Sequence, residues 1–138
     1  MVNMMKRNEL EILQEEYPEA KQMTFNNKGY DYIMVNSKGM PIKIEYKYRS
    51  LNVKYDVTPA QIKSADIFTL RDYKNKHWHM LASLYVEISK PHSALASGWL
   101  GKERELSQKK FKENATTNLR KLIDDVDFKG TNLEDFFN

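Results

Sequence analysis

The 138-residue chain contains no cysteine, only five glycines and only four prolines. Without thiols there is no disulfide scaffold, no cysteine nucleophile and no thiolate metal centre, and the composition suits a reducing compartment. So few glycines and prolines leave no room for a flexible linker or a low-complexity tract, and a single domain is expected over residues 1–138. No apolar run approaches the roughly 20 residues that a membrane-spanning helix needs. The opening Met1-Val-Asn-Met-Met-Lys-Arg7 has neither the apolar stretch nor the small-residue cleavage site of a secretory signal. Together these absences predict a cytoplasmic protein with no membrane partner.

Charge is nearly balanced, with 22 Lys and Arg against 19 Asp and Glu for a net +3. Its distribution is uneven. The last sixteen residues carry a net −4, which leaves +7 on residues 1–122. Between positions 28 and 54 stand Lys28, Lys38, Lys43, Lys47, Arg49 and Lys54, opposed only by Asp31 and Glu45. A basic stretch of this kind is able to follow a phosphate backbone if the fold puts its side chains on one surface, with Lys28, Arg49 and Lys54 as the flanking contacts to DNA.

Apolar spacings of three and four predict a helix from about Met5 to Tyr17, ended by Pro18. A short extended piece follows at residues 22–25, then a turn at 26–29 and a strand over 30–35. Ser37-Lys38-Gly39 reads as a hairpin loop with glycine where a positive φ is needed. The next strand, 42–48, alternates strictly, with Ile42, Ile44, Tyr46 and Tyr48 on one face and Lys43, Glu45 and Lys47 on the other. Thr58 and Pro59 cap a helix that the apolar spacing carries to about Leu70. Residues 78–88 read as a further strand open to an interruption, and 118–126 as a short helix or strand. The expected order is αβββαβ, an α/β fold whose core spans about 5–101, with a C-terminal extension over 102–138.

The hairpin brings the acidic residues together. A three-residue loop pairs Asn36 with Met40, and counting outward sets Asp31 opposite Glu45 on one face, with Cβ atoms about 4.5–5.5 Å apart. Lys47 shares that face. Adjacent carboxylates repel unless a proton or cation joins them, and Mg²⁺ takes oxygen ligands while keeping waters. The Lys47 ammonium beside them is placed to orient an attacking water or to neutralise charge on a phosphoryl group.

Asp31, followed fourteen residues later by Glu45-Tyr46-Lys47 within this order of elements, resembles the PD-(D/E)XK nuclease superfamily. Tyr30 stands where the family name has proline, a common substitution. The resemblance covers residues 5 to about 101. It implies a restriction-endonuclease-like αβββαβ core, with a mixed central sheet flanked by helices, and hydrolysis of DNA. It also implies Mg²⁺, or Mn²⁺ in its place, held by Asp31, Glu45 and the backbone carbonyl of Tyr46, with Lys47 assisting the water. Many members add a carboxylate from the leading helix, for which Glu9 is the first candidate and Glu16 the second. Gln61 matches a glutamine often found on the helix after E-x-K in small resolvase-like nucleases. Cleavage of both strands of a duplex would call for a homodimer.

The alternative is a catalytically silent DNA-binding or protein-binding module of the same fold. Plainer roles also compete for individual residues. Gln61 reads equally as a helix surface residue, the tyrosines between 30 and 55 as core, and Lys109, Lys110 and Lys112 as a solvated helix face. His77 and His79 share a strand face, with His92 the only other histidine, so a zinc site lacks an evident third ligand. The acidic, aromatic tail around Phe136 and Phe137 reads as a docking segment or a frayed end.

Overall fold

A computed structural model describes residues 13–23, 30–91 and 103–126. Its centre is the hairpin of β2 (Tyr32–Val35) and β3 (Pro41–Tyr48). The Asn36 side-chain carbonyl accepts the N–H groups of Lys38 and Met40, both at 3.0 Å, and Gly39 takes φ +79°. An Asx-type turn of this kind favours the register locally, and the Asn36 amide donating to the Ile123 carbonyl (3.2 Å) and the Ser37 N–H donating to Asp124 Oδ1 (2.8 Å) tie it to residues near the C-terminal end. Tyr32 faces Ile44 and Met34 faces Ile42, so the count from Asn36–Met40 holds along the whole hairpin.

On one side β2 pairs antiparallel with β1 (Lys21–Gln22). On the other, β3 pairs parallel with β5 (Ile67–Arg71), which pairs antiparallel with β6 (His77–Leu81). The five-stranded sheet therefore runs β1-β2-β3-β5-β6 and is mixed. The parallel step is bridged by β4 (Tyr55–Val57) and α2 (Pro59–Ser64). Further on come α3 (Ala82–Ile88), β7 (Lys90–Pro91), β8 (Arg104–Leu106), α4 (Gln108–Asn114) and α5 (Leu119–Asp124). β4, β8 and β7 form a second, three-stranded sheet. The helical residues 13–16 are the described part of α1, and a turn at Pro18 follows them.

Two expectations fail here. The helix that starts at Pro59 stops at Ser64 rather than near Leu70, and Ile67–Arg71 is the strand beside β3, buried at all five positions. Burying Ile67, Phe68 and Leu70 contributes about 1.5–3 kcal/mol each. Helix propensity differs by less than about 1 kcal/mol per residue among ordinary residues. Residues 78–88 are likewise not one strand, because the chain leaves the sheet at Leu81 and turns into α3, burying Ala82 and Tyr85 three apart.

Both faces of the sheet are covered, as a parallel pair within a sheet requires. On the Tyr46 side, Leu13, Tyr17 and Ala20 pack with Tyr32, Met34, Ile42, Ile44, Ile67, Leu119 and Ile123. The opposite side packs Phe68, Leu70 and Met80 against Tyr55, Val57, Tyr85, Leu106 and Phe111. Residues 104–124, read from sequence as an extension, thus supply part of both cores. None of the described helices is long and apolar enough to cross a membrane.

Candidate active site

The alternation of β3 sends Tyr46 into the first core and Glu45 to the opposite side of the sheet. There Glu45 is abreast of Phe68 on β5, and Tyr55 is buried nearby, its hydroxyl donating to the carbonyls of Glu45 (3.4 Å) and Thr69 (3.1 Å). The Glu45 side chain is consequently 7% exposed.

Asp31 sits one residue before β2. Its N–H donates to the Ile44 carbonyl at 2.8 Å, and its Oδ2 accepts the Tyr46 N–H at 2.9 Å. The Asp31 carboxyl lies beside that of Glu45, and the Lys47 ammonium lies 4.0 Å from Glu45 Oε2. Asp31, Glu45 and Lys47 are therefore brought together as the hairpin register requires.

Burial, reinforced by the Asp31 charge, pushes the Glu45 carboxyl up to about 8 against the opposing pull of Lys47. A carboxyl raised in this way beside a second one keeps its proton at neutral pH. Burial also lowers Lys47 from its ordinary value, with the Glu45 charge acting against it.

The donor set fits a hard divalent ion. Two carboxylates converge in a pocket that otherwise needs a proton to keep them together, and no soft ligand is present. Among the described residues no group of three or more His, Asp or Glu side chains forms a metal cluster. Glu9, the first candidate for a third side-chain ligand, lies outside the described residues.

Glu16 does not join this site. The described turn of α1 packs on the Tyr46 face, where Glu16 Oε1 lies 2.8 Å from His77 Nδ1 and the Tyr46 hydroxyl lies 2.9 Å from His77 Nε2. With Nδ1–H donating to the carboxylate, Nε2 accepts from the phenol. This chain of carboxylate, imidazole and phenol ties α1 and β6 to the residue between Glu45 and Lys47. Tyr46→Phe leaves the His77 nitrogen, in a residue 5% exposed, without its donor. A loss of about 1–3 kcal/mol of stability is expected, read from the urea midpoint at constant m-value.

Gln61 is committed elsewhere. Its Oε1 accepts the Thr58 N–H at 3.0 Å while its own N–H donates to Thr58 Oγ1, a capping box that starts α2. Arg49 braces its own loop, donating to the carbonyls of Tyr48 and Lys54 and to Asp56 Oδ1 at 2.8 Å. Lys54 is near the site, paired at 3.2 Å with Glu105. Lys28 lies outside the described residues, as does His92.

His77 and His79 share one face with ring centroids 6.2 Å apart, but each is already engaged, His77 as above and His79 with Thr69 Oγ1 at 2.7 Å. Burial, with a smaller push from His77, holds His79 neutral, its value lowered to about 3. The link from Glu16 through His77 to Tyr46 was not read from the sequence. The only signal for it was the two-residue spacing of the histidines on a strand.

No protein-family model matches the chain, and no curated protein matches its sequence.

Proposed function

We propose that the protein is a metal-dependent nuclease of the PD-(D/E)XK type that hydrolyses phosphodiester bonds in DNA. The observation that carries this reading is the side-by-side placement of Asp31 and the buried Glu45, with the Lys47 ammonium 4.0 Å from Glu45. The order of α1, β1–β3, α2 and β5, with β3 and β5 parallel, supports a restriction-endonuclease-like core.

Asp31, Glu45 and the Tyr46 carbonyl would hold Mg²⁺ or Mn²⁺, which when bound supplies Lewis acidity toward a phosphodiester oxygen and acidifies water. The chain's own part is positional. The Tyr46 N–H holds the Asp31 carboxylate in place, and Glu45 gives up its proton to become a ligand. Lys47, lowered by burial, orients the attacking water and offsets the negative charge that develops on the phosphoryl group. Lys54, with Arg49 fixing the loop that carries it, contacts the DNA backbone without reading sequence.

Purified protein incubated with supercoiled, linear and branched DNA plus Mg²⁺ or Mn²⁺ tests the reading. Lys47→Ala is expected to slow cleavage by about 10²–10⁴, and equal residual cleavage by wild type and variant would show that the activity is not this site's. Duplex cleavage would in addition require a homodimer, visible by light scattering, because each chain carries one such site.

The absence of a third clustered carboxylate among the described residues favours one other reading, a silent nucleic-acid-binding module of the same fold. Calorimetry with Mn²⁺ separates the two, since such a module has no need of metal at Asp31 and Glu45.

A further inference from the structure

On the face that carries Glu45, the sheet register sets Lys47, Leu70 and Trp78 abreast on β3, β5 and β6. At about 4.8 Å per strand this row spans about 10 Å. Beside it opens a cleft of about 440 Å³, lined by Leu51, Asn52 and Lys54 on one wall and by Gln108, Lys109 and Lys112 of α4 on the other. Gln108 closes its floor, with Nε2 donating to the carbonyls of Ser50 (2.6 Å) and Val53 (2.7 Å).

Two of the lysines are paired, yet the pairs are layered with the cation outward. The Lys54 side chain is 47% exposed over Glu105 at 3%, and Lys112 is 28% exposed over Asp72 at 4%. The buried carboxylates thus hold their lysines at the rim, and solvent meets the ammonium groups. Lys109 adds an exposed charge.

Past Lys112 the surface turns aromatic. The half-buried Trp78 ring has the Lys76 ammonium at 4.6 Å and that of Lys112 at 5.6 Å, and its Nε1 donates to Asp72. Next to Asp72, Tyr73 is 45% exposed with Lys74 at 5.6 Å from its ring.

We propose that this cleft binds a single strand of nucleic acid, its phosphates on Lys54, Lys109 and Lys112 and an unpaired base on Tyr73. A cationic cleft that continues past Lys112 to an exposed aromatic ring is what a strand with exposed base faces requires, whereas a duplex offers no base face to an edge ring such as Tyr73. The running direction, toward Asp31 and Glu45, rests on the proposed nuclease function. Affinity for the strand does not.

The test is fluorescence anisotropy in EDTA, so that no cleavage is involved, with labelled oligothymidylate, oligouridylate and a hairpin duplex. Leu51→Asp and Lys109→Glu change exposed cleft residues. Each is expected to weaken single-strand binding, and Lys109→Glu to reduce the salt slope by about 1. Tyr73→Ala is expected to weaken it about fivefold or more, the low end of base stacking on an aromatic ring, with duplex binding unchanged.

Preference between the thymidylate and uridylate probes assigns the strand as DNA or RNA. Tighter binding of the hairpin with a silent Tyr73→Ala overturns the proposal in favour of a duplex surface. Silent Leu51→Asp and Lys109→Glu, or no binding by wild type, overturn it outright. Cleavage by wild type with silent cleft variants sinks the cleft alone, and cleft-dependent binding without cleavage sinks the nuclease reading alone.

Discussion

Replacing Glu45 with glutamine is expected to abolish divalent-metal-dependent cleavage while leaving the protein folded and, above about pH 8, more stable than wild type. The two outcomes come from the same proton. In the folded chain the Glu45 carboxyl is raised to about 8 from an ordinary 4.5, first by burial and then by Asp31. A folded-state value raised in this way means that the native protein binds the proton more tightly than the unfolded chain. The stability tied to that proton is fully present below the ordinary carboxylate value and is lost as pH rises through about 8.

Each tenfold difference in proton affinity is worth about 1.4 kcal/mol, so ionising Glu45 at high pH costs on the order of several kcal/mol. Glutamine keeps the shape and a donor for Asp31 and cannot ionise. Thermal melts in EDTA at pH 6 and pH 9 should show the wild-type midpoint falling and the Glu45→Gln midpoint holding. A variant that loses as much stability as wild type would mean that Glu45 does not carry the proton. On the catalytic side glutamine has no charge to offer a cation, so activity should be lost even at saturating Mn²⁺.

Metal binding and pH are linked through the same group, and a large dependence follows. If Asp31 and Glu45 hold the ion, Mn²⁺ displaces the proton that Glu45 keeps. Affinity should then rise about tenfold per pH unit between pH 6 and pH 8 and level off above, with about one proton released per ion near pH 7. Titration calorimetry in two buffers of different ionisation enthalpy measures that release directly. An affinity flat across this range would place any bound ion elsewhere.

The parts of the fold legible in the sequence are those that local chemistry decides. Asn36, Gly39 and the alternation of Ile42, Ile44 and Tyr46 mark the hairpin in the sequence, and the juxtaposition of Asp31 and Glu45 comes with it, while the bonds from Asn36 and Ser37 to Ile123 and Asp124 that also hold the loop are not legible there. Thr58 and Pro59 likewise start a helix where expected. Ile67–Arg71 was misread because a strand buried on both faces has no alternation to display, and Ile-Phe-Thr-Leu after a capped helix continues its apolar pattern.

An interruption within 78–88 was legible but its place at Leu81 and the helix beyond it were not, since Trp78, Met80, Leu84 and Tyr85 are equally at home in strand or helix. Contacts distant in sequence were illegible altogether. Nothing near Glu16 announces His77, sixty-one residues away, and nothing near Asp72 announces Lys112. Gln61 was visible as a residue but not as a cap, because a capping box and a site glutamine look alike in one sequence.

The covering of both sheet faces by residues 104–124 gives the chain an order of assembly. The hairpin that pairs Asp31 with Glu45 closes within fifteen residues of sequence, while Tyr17 awaits Thr117 and Leu119, a separation of about a hundred residues. Long-range closures of that kind slow folding. During synthesis the carboxylate pair is therefore encoded and paired early, whereas α4, which forms one wall of the cleft, and α5, which seals the Tyr46 face, emerge last. Until they dock, the chain has Asp31 and Glu45 but lacks Lys109 and Lys112, two of the three lysines of the proposed nucleic-acid cleft.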